Sequence, residues 1–168
     1  MFRVLLALAV TFACAIVVPA ASVVSAQTPA APASADRSKA HVFAAADLAS
    51  ALAKLPTDRP AASVRVFTLA PYNVNVEQRQ PRAQGASLHE TQAELFYVIQ
   101  GSATLLTGGK LIGETRNGTN LSGTGIDGGV RQTFGKGDFL LVPSGLPHQF
   151  VEIKEPIQLM SVYLPNAQ

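Results

Sequence analysis

Apolar and polar positions alternate in short runs over most of the chain after residue 60. These runs are rich in Val, Phe, Leu, Tyr and Ile and are separated by Gly, Pro and Asn, a pattern typical of many short β-strands. We predict ten strands, at residues 63–70, 72–78, 86–89, 94–100, 102–107, 110–114, 131–134, 138–142, 148–152 and 158–164. Little helical periodicity competes with this pattern. The expected fold class is therefore all-β, as a barrel or jelly roll that closes the strands without exposed edges.

The region before the strands has a different pattern. Leu48, Leu52 and Leu55 follow one another at spacings of four and three within residues 41–55, which predicts a short N-terminal helix that ends before Pro56. Residues 27–40 are rich in Ala, Pro and Ser and are expected to form a disordered linker. With 168 residues in total, we expect one domain, at residues 41–168.

The N-terminus has the features of a secretory signal peptide. Arg3 precedes an unbroken apolar run at residues 4–18, and small residues at 24–26 come before Gln27. We predict a signal peptide at residues 1–26 with cleavage after Ala26, which makes the protein secreted or periplasmic, with no stable membrane insertion after cleavage. An uncleaved anchor helix is less favoured, because a span needs roughly 20 apolar residues and Pro19 interrupts this one.

Composition and charge narrow the function classes. The only cysteine, Cys14, lies in the predicted signal peptide, so the exported domain would contain no disulfide and no thiolate metal ligand. The chain has 13 basic and 11 acidic side chains, a net charge of +2, and removal of Arg3 with the signal leaves about +1. Because no basic stripe is present, we expect no nucleic-acid partner.

Residues 115–129 are polar and rich in glycine, with Asn117 and Gly118 as a turn signal. We expect a surface excursion between two hairpin arms. A phosphate-binding loop is discounted, because no Gly-Lys-Ser or Gly-Lys-Thr sequence occurs. The sequence leaves open whether this segment covers the mouth of a pocket or extends into solvent.

Side chains that are able to bind a metal share strand faces with predicted core residues. Because alternate residues of a strand lie on one face, Glu94 is expected beside Phe96, and His148 beside Phe150 on a later strand. A carboxylate among apolar side chains is unfavourable unless its charge is compensated. A divalent cation held together with imidazoles would supply that compensation.

The spacing of these residues resembles the cupin superfamily, whose first motif reads G(X)5HXH(X)3–4E(X)6G. Four residues separate His89 from Glu94 and six separate Glu94 from Gly101, which places His89 on the second histidine of the motif. Ser87 occupies the position of the first histidine. The first motif is therefore present with one ligand position changed.

The second cupin motif, G(X)5PXG(X)2H(X)3N, matches Gly137, Pro143, Gly145 and His148 in every spacing, and Glu152 stands where the family pattern ends in Asn. The resemblance covers roughly residues 63–165. It implies a double-stranded β-helix of the jelly-roll type, often a homodimer, with a metal near its centre held by three histidines and one glutamate.

Three of the four ligand positions are retained, namely His89, Glu94 and His148. The resemblance implies that they bind a divalent metal ion, with iron, manganese, nickel and zinc as the candidates, while water or substrate takes the position of Ser87. Two histidines and one carboxylate suit iron(II) with open sites for oxygen or substrate.

Four further residues are candidates for lining the pocket: Ser87, Phe96, Phe150 and Glu152. The two phenylalanines also fit simple core packing. Glu152 fits three roles, a base behind the ligands, a pocket-lining group or a charged rim side chain, and the rim is favoured.

Two function classes are consistent with these residues. The first is a metal-dependent enzyme acting on a small organic molecule, with a dioxygenase as the first hypothesis because the ligand set leaves sites for oxygen. Isomerase and decarboxylase chemistry stay open, since one fold hosts many reactions. The second is a non-catalytic module that binds a small molecule, such as a sugar, or a metal outside the cytoplasm. The change at Ser87 favours the second class, and retention of the other three ligands favours the first.

Overall fold

The computed structural model describes residues 34–166. The predicted signal peptide and residues 27–33 of the predicted linker lie outside the described residues. Within residues 34–166, no helix has the length and apolar character needed to cross a membrane.

The described chain has one short helix followed by thirteen strands, and every strand pairing is antiparallel. The bounds are α1 (Ala45–Leu52), β1 (Ala61–Leu69), β2 (Tyr72–Arg79), β3 (Ala86–His89), β4 (Gln92–Gln100), β5 (Ser102–Thr107), β6 (Lys110–Ile112), β7 (Thr115–Asn117), β8 (Asn120–Gly123), β9 (Gly125–Asp127), β10 (Val130–Gly135), β11 (Phe139–Val142), β12 (His148–Val151) and β13 (Ile157–Pro165).

Two large sheets share one apolar core. Sheet A has the strand order β1-β2-β13-β4-β11, and sheet B has the order β10-β5-β12-β3-β8-β7. Both sheets contribute to the core, which consists of Phe96, Val98, Ala103, Leu105, Phe134, Val142, Phe150, Ile157 and Leu159. Among residues 34–166 the strands form two open sheets rather than the closed barrel expected from the sequence, because β10 and β11 remain unpaired edges.

The predicted all-β jelly roll with a short N-terminal helix is confirmed. All ten predicted strands are present, with bounds that differ by at most two residues. The helix begins at Ala45 and ends at Leu52, so it is shorter than the predicted segment. Ala44, the residue before it, offers no side-chain cap to its first backbone N–H groups. Leu48, Leu52 and Leu55 are all partly buried, as their spacing predicts.

The glycine-rich segment 115–129 lies between β5 and β10, which pair as the arms of a hairpin, and most of its residues are exposed, as predicted. The sequence did not predict that the segment forms regular strands. The segment forms β7, β8 and β9, of which β8 pairs with β3 and β9 pairs with β6 in a separate two-stranded sheet. Leu121 and Ile126 are buried, and Ile126 packs with Ala86 and Leu106 in a second apolar cluster. Gly123 permits the close crossing over β6, since a Cβ there would lie 2.7 Å from the carbonyl oxygen of Ile112.

Part of the predicted linker contacts the sheet. The backbone N–H of Ala35 donates to the carbonyl oxygen of Thr68 at 2.6 Å, and the Arg37 guanidinium donates to the carbonyl oxygen of Ala70 at 2.6 Å. Residues 35–37 therefore lie beside the end of β1, at the edge of sheet A.

Candidate metal centre

Three separate strands carry the three predicted ligands. His89 is the last residue of β3, Glu94 lies in β4 and His148 is the first residue of β12. Glu94 is buried on the same face of β4 as Phe96 and Val98, as the alternation predicts. Pairing of β12 with β3 brings His148 next to the strand that carries His89. The fold therefore directs all three side chains to the space between the two sheets.

The ligand atoms converge. The Nε2 of His89 lies 3.4 Å from Oε2 of Glu94, and the Nε2 of His148 lies 3.3 Å from the same oxygen. One ligand atom from each residue lies within 4.8 Å of the others. The side chains of His148 and Glu94 are only 5% and 3% exposed, and that of His89 is 14% exposed. The cluster is therefore shielded and approaches solvent on the His89 side.

The other ring nitrogen of each histidine has a partner that fixes its orientation. Nδ1 of His148 lies 3.3 Å from the backbone carbonyl oxygen of Leu146, which can only accept, so this nitrogen donates. Nδ1 of His89 donates to Oδ1 of Asn120 at 2.7 Å. In the neutral rings both Nε2 atoms then carry a lone pair that points toward Glu94, which is the form that binds a metal.

Without a metal, the carboxylate and imidazoles perturb one another. Burial acts to raise the pKa of Glu94, but hydrogen bonds with His148 and His89 outweigh it and lower that pKa to about 2. Burial acts to lower the pKa of His89, but its hydrogen bonds with Glu94 and Asn120 and the charge of Glu94 raise it overall. In the metal-free protein, His89 therefore holds its second proton more readily than a free imidazole does, and the attraction to Glu94 is the reason.

The geometry fits a divalent ion. Two ligand atoms each about 2.1 Å from one ion are about 3.0 Å apart at a right angle and about 3.4 Å apart at the tetrahedral angle. The nitrogen-to-oxygen distances of 3.3 and 3.4 Å fall in this range. They are longer than the roughly 2.8 Å of a strong charge-assisted hydrogen bond. Within residues 34–166, no Lys or Arg lies within ion-pair distance of Glu94, so a cation is the natural partner for its charge.

Two residues of the site have no counterpart in the sequence prediction. Asn120 belongs to the glycine-rich segment, and it reaches His89 because β8 pairs with β3. Tyr163 packs edge-on against His89, with ring centres 5.0 Å apart, and lies opposite Glu94 in the β13–β4 pairing. Burial, followed by the charges of Glu94 and Glu77, raises the pKa of Tyr163, so its phenol stays protonated. Inward alternation along β13 was the signal that could have revealed Tyr163.

A second polar group lies between the sheets. Ser161 donates to Oε1 of Glu77 at 2.6 Å, and Arg79 pairs with Oε2 of Glu77 at 2.6 Å. The Arg79 guanidinium also lies 4.3 Å from the centre of the Phe150 ring. Because Arg79 neutralises Glu77, this group has its own charge balance and leaves Glu94 to the imidazoles.

The four pocket candidates fall in different places. Ser87 lies two residues before His89 in β3 and opposite His148 in the β12–β3 pairing. Phe96 and Phe150 are buried in the core, with ring centres 5.3 Å apart. Glu152 is an exposed rim residue that accepts a hydrogen bond from Thr104 at 2.7 Å and pairs with Arg131 at 3.0 Å. Its backbone lies roughly 13 Å along the chain from that of His148, at about 3.3 Å per residue.

Comparisons with known proteins support the fold. No protein-family model matches the chain, and no curated protein sequence matches it. The cupin domain of Schizosaccharomyces pombe Cnp3 is 13% identical, with a TM-score of 0.50, and the match covers 68% of this chain and 72% of that one. A protein from Bacillus halodurans is 12% identical, with a TM-score of 0.51, over 81% of this chain and 89% of that one. The DMSP lyase DddQ from Ruegeria pomeroyi is 16% identical, with a TM-score of 0.47, over 68% and 53%.

The jelly roll and its two sheets are similar to those of the cupin-domain structures, so the chain has a cupin fold. At these identities the similarity establishes the fold alone.

Proposed function

We propose that this protein is an exported, metal-dependent enzyme that acts on a small organic molecule, with His89, Glu94 and His148 holding the ion. The observation that carries the proposal is the buried carboxylate of Glu94, which lies close to two imidazole nitrogens. Within residues 34–166, no Lys or Arg lies close enough to compensate its negative charge. Iron(II) is the first candidate, because two histidines and one carboxylate leave coordination positions open. A dioxygenase is accordingly the first reaction class to test.

A bound ion would act as a Lewis acid or would activate oxygen. The protein itself contributes three things. Asn120 and the carbonyl of Leu146 hold the imidazoles in the orientation that directs Nε2 inward. The strong burial of Glu94 and His148 excludes water from one side of the site. Tyr163 offers a protonated phenol beside His89, and its hydrogen bond to Glu94 helps to hold the carboxylate in place.

Metal content tests the proposal. Purified protein is stripped with a chelator and reloaded separately with iron(II), manganese, nickel and zinc. We expect one equivalent of metal in the wild type, and strong loss in His89→Ala and in His148→Ala. His41→Ala is the matched control, since His41 is exposed and its Nε2 contacts the backbone oxygen of Asp36. Failure to bind metal, or equal binding in all three variants, would rule out the site.

Oxygen consumption separates the enzyme from the alternative function. Iron-loaded protein is incubated with phenols, enols and hydroxy acids in an oxygen electrode, and substrate-dependent uptake that disappears in His148→Ala supports a dioxygenase. The alternative is a non-catalytic module that binds a small molecule or a sugar, favoured by Ser87 at the first motif histidine. Ligand binding without turnover by any metal-loaded form would favour that alternative.

Export is a separate part of the proposal and rests on residues 1–26. Protein recovered from the periplasm or the medium is expected to begin at Gln27 when its N-terminus is sized by mass spectrometry. A mature chain that still begins at Met1 would contradict the predicted cleavage.

A further inference from the structure

The outer face of sheet A, which is turned away from sheet B, is apolar at the end of the β1–β2 hairpin. Glu77 of β2 points into the space between the sheets, where it accepts a hydrogen bond from Ser161. Because successive side chains of a strand lie on opposite faces, positions 72 and 74 of β2 lie on the outer face. Strand pairing sets two apolar residues of β1 directly beside them. We call these four residues the hairpin face: Phe67, Leu69, Tyr72 and Val74.

Residues 35–43 form an arch over the hairpin face, and the arch is fixed at both ends. At its beginning, hydrogen bonds from residues 35 and 37 hold it beside the end of β1. At its end, the ring of Phe43 packs edge-on against the ring of Phe67, with ring centres 6.3 Å apart. Within the arch, Nε2 of His41 donates to the backbone oxygen of Asp36 at 2.8 Å. These contacts make the arch a preformed part of the fold.

A cavity of about 430 Å³ lies between the arch and the hairpin face. All four residues of the hairpin face line it, so one wall is apolar. Binding sites for small molecules have volumes of about 300–1,000 Å³, with mostly apolar walls and a few polar groups. The cavity has this size and this kind of lining. Its second wall consists of five residues of the arch: Ala35, Asp36, Arg37, Lys39 and His41.

The charged groups around the cavity favour an anion. Arg37 and Lys39 are cations, whereas Asp36 is the one carboxylate among the described residues that line the cavity. One oxygen of Asp36 already accepts two hydrogen bonds from Ser38, and the other lies 3.9 Å from the ammonium of Lys39. Arg37 donates from one terminal nitrogen to the carbonyl oxygen of Ala70, and its other N–H groups have no hydrogen-bond partner within residues 34–166. Those N–H groups are therefore available to a bound anion.

We propose that this cavity binds a small aromatic carboxylate, with its ring on the hairpin face and its carboxylate on Arg37. A guanidinium binds a carboxylate through paired charge-assisted hydrogen bonds, which makes Arg37 a more specific anchor than Lys39. Phe67 and Tyr72 offer aromatic surface to the ring, and Tyr72 is still 47% exposed. Because the cavity and Glu94 lie on opposite faces of sheet A, this would be a second ligand site, separate from the metal centre.

A titration followed by proton–nitrogen correlation NMR tests the proposal with the full chain in its metal-free form. Phenylacetate is the probe, and phenylacetamide, which has a similar shape without the charge, is its control. We expect phenylacetate to shift the amide signals of residues 35–41 and 67–74 most strongly. Phenylacetamide should bind at least about tenfold more weakly, because hydrogen bonds to a charged group are stronger than those between neutral groups.

Two variants and a matched control test the contacts of the probe. Arg37→Gln removes the positive charge but keeps a donor for Ala70, and it should weaken the binding of phenylacetate at least about tenfold. Arg59→Gln makes the same change at an exposed arginine that does not line the cavity, and it should leave the affinity unchanged. Tyr72→Ala removes aromatic surface and leaves the contacts of Arg37 in place, so it should also weaken binding. This second variant covers the case in which Arg37→Gln loosens the arch.

Three outcomes overturn the proposal. The first is equal binding of phenylacetate and phenylacetamide, or no saturable shift of the hairpin-face signals with phenylacetate. The second is a set of shifts centred on His89 and His148, which would place the probe at the metal centre instead. The third is an affinity that Arg37→Gln and Tyr72→Ala leave unchanged, or that Arg59→Gln lowers as much as they do. Because the titration uses no metal, its outcome is independent of the proposed function.

Discussion

Replacing Asn120 by Ala removes the acceptor that holds His89 in its metal-binding orientation. The hydrogen bond from Nδ1 of His89 to Oδ1 of Asn120 is short, at 2.7 Å, and the ring is mostly buried. Loss of such a supporting contact lowers metal affinity by about 10- to 100-fold. This range corresponds to about 1.4 to 2.8 kcal/mol of binding free energy. All three proposed ligands remain in place in this variant, so the effect isolates orientation from coordination.

A three-variant series gives this prediction its controls. Asn120→Asp keeps an acceptor and adds a negative charge, so its metal affinity should equal or exceed that of the wild type. Asn117→Ala removes the same side chain from the neighbouring strand, opposite Asn120 in the β7–β8 pairing, and should have no effect. Affinities are measured by competition with a chelator at constant pH and ionic strength.

Two results would show that Asn120 does not orient His89. In the first, Asn120→Ala binds metal as tightly as the wild type while His89→Ala does not, which would mean that the contact does not orient the ring. In the second, Asn120→Asp is as weak as Asn120→Ala, which would mean that packing of the amide, rather than acceptance of the proton, matters.

The remaining predictions concern stability. In metal-free protein, the contribution of Glu94 is present above about pH 4.5 and lost as pH falls toward its lowered pKa of about 2, whereas that of His89 is present below pH 6.5 and lost as pH rises through its raised pKa. Thermal midpoints in excess chelator should therefore peak between these limits, while metal affinity increases as pH rises. Phe96→Ala should cost about 3–5 kcal/mol in urea unfolding, against less than about 1 kcal/mol for the exposed Phe139→Ala. Leu121→Ala should cost about 2–5 kcal/mol, and a cost near zero would mean that β8 is not part of the folded unit.

The sequence predicts most of the fold because most of the strands show a local alternation of apolar and polar residues. Strands such as β4 alternate strictly, with Glu94, Phe96 and Val98 inward, and turn residues mark their ends. The strand pattern is local, within about ten neighbouring residues. The convergence of Glu94 and His148, which lie on the distant strands β4 and β12, was implied by the resemblance to cupins, and their ligand atoms lie within 4.8 Å of each other.

The features of the structure that the sequence did not predict depend on contacts between distant segments of the chain. In residues 115–129, Gly and Thr separate the apolar residues, so Leu121 and Ile126 do not belong to a regular alternation of apolar and polar positions. Their burial requires β3 and β6 as partners. Asn120 is 31 residues from His89 in the chain and reaches it only through the β3–β8 pairing. Glu152 leaves its strand with a φ of +56°, which ends the alternation expected from His148 onward.

Anomalous X-ray diffraction from a metal-loaded crystal, recorded at the absorption edge of the metal, shows directly whether His89, Glu94 and His148 hold one ion. We expect one strong peak between the two sheets, about 2.0 to 2.2 Å from Nε2 of His89, Nε2 of His148 and a carboxylate oxygen of Glu94. A peak bound only by surface carboxylates, or no peak in protein soaked with each of the four metals, would contradict it.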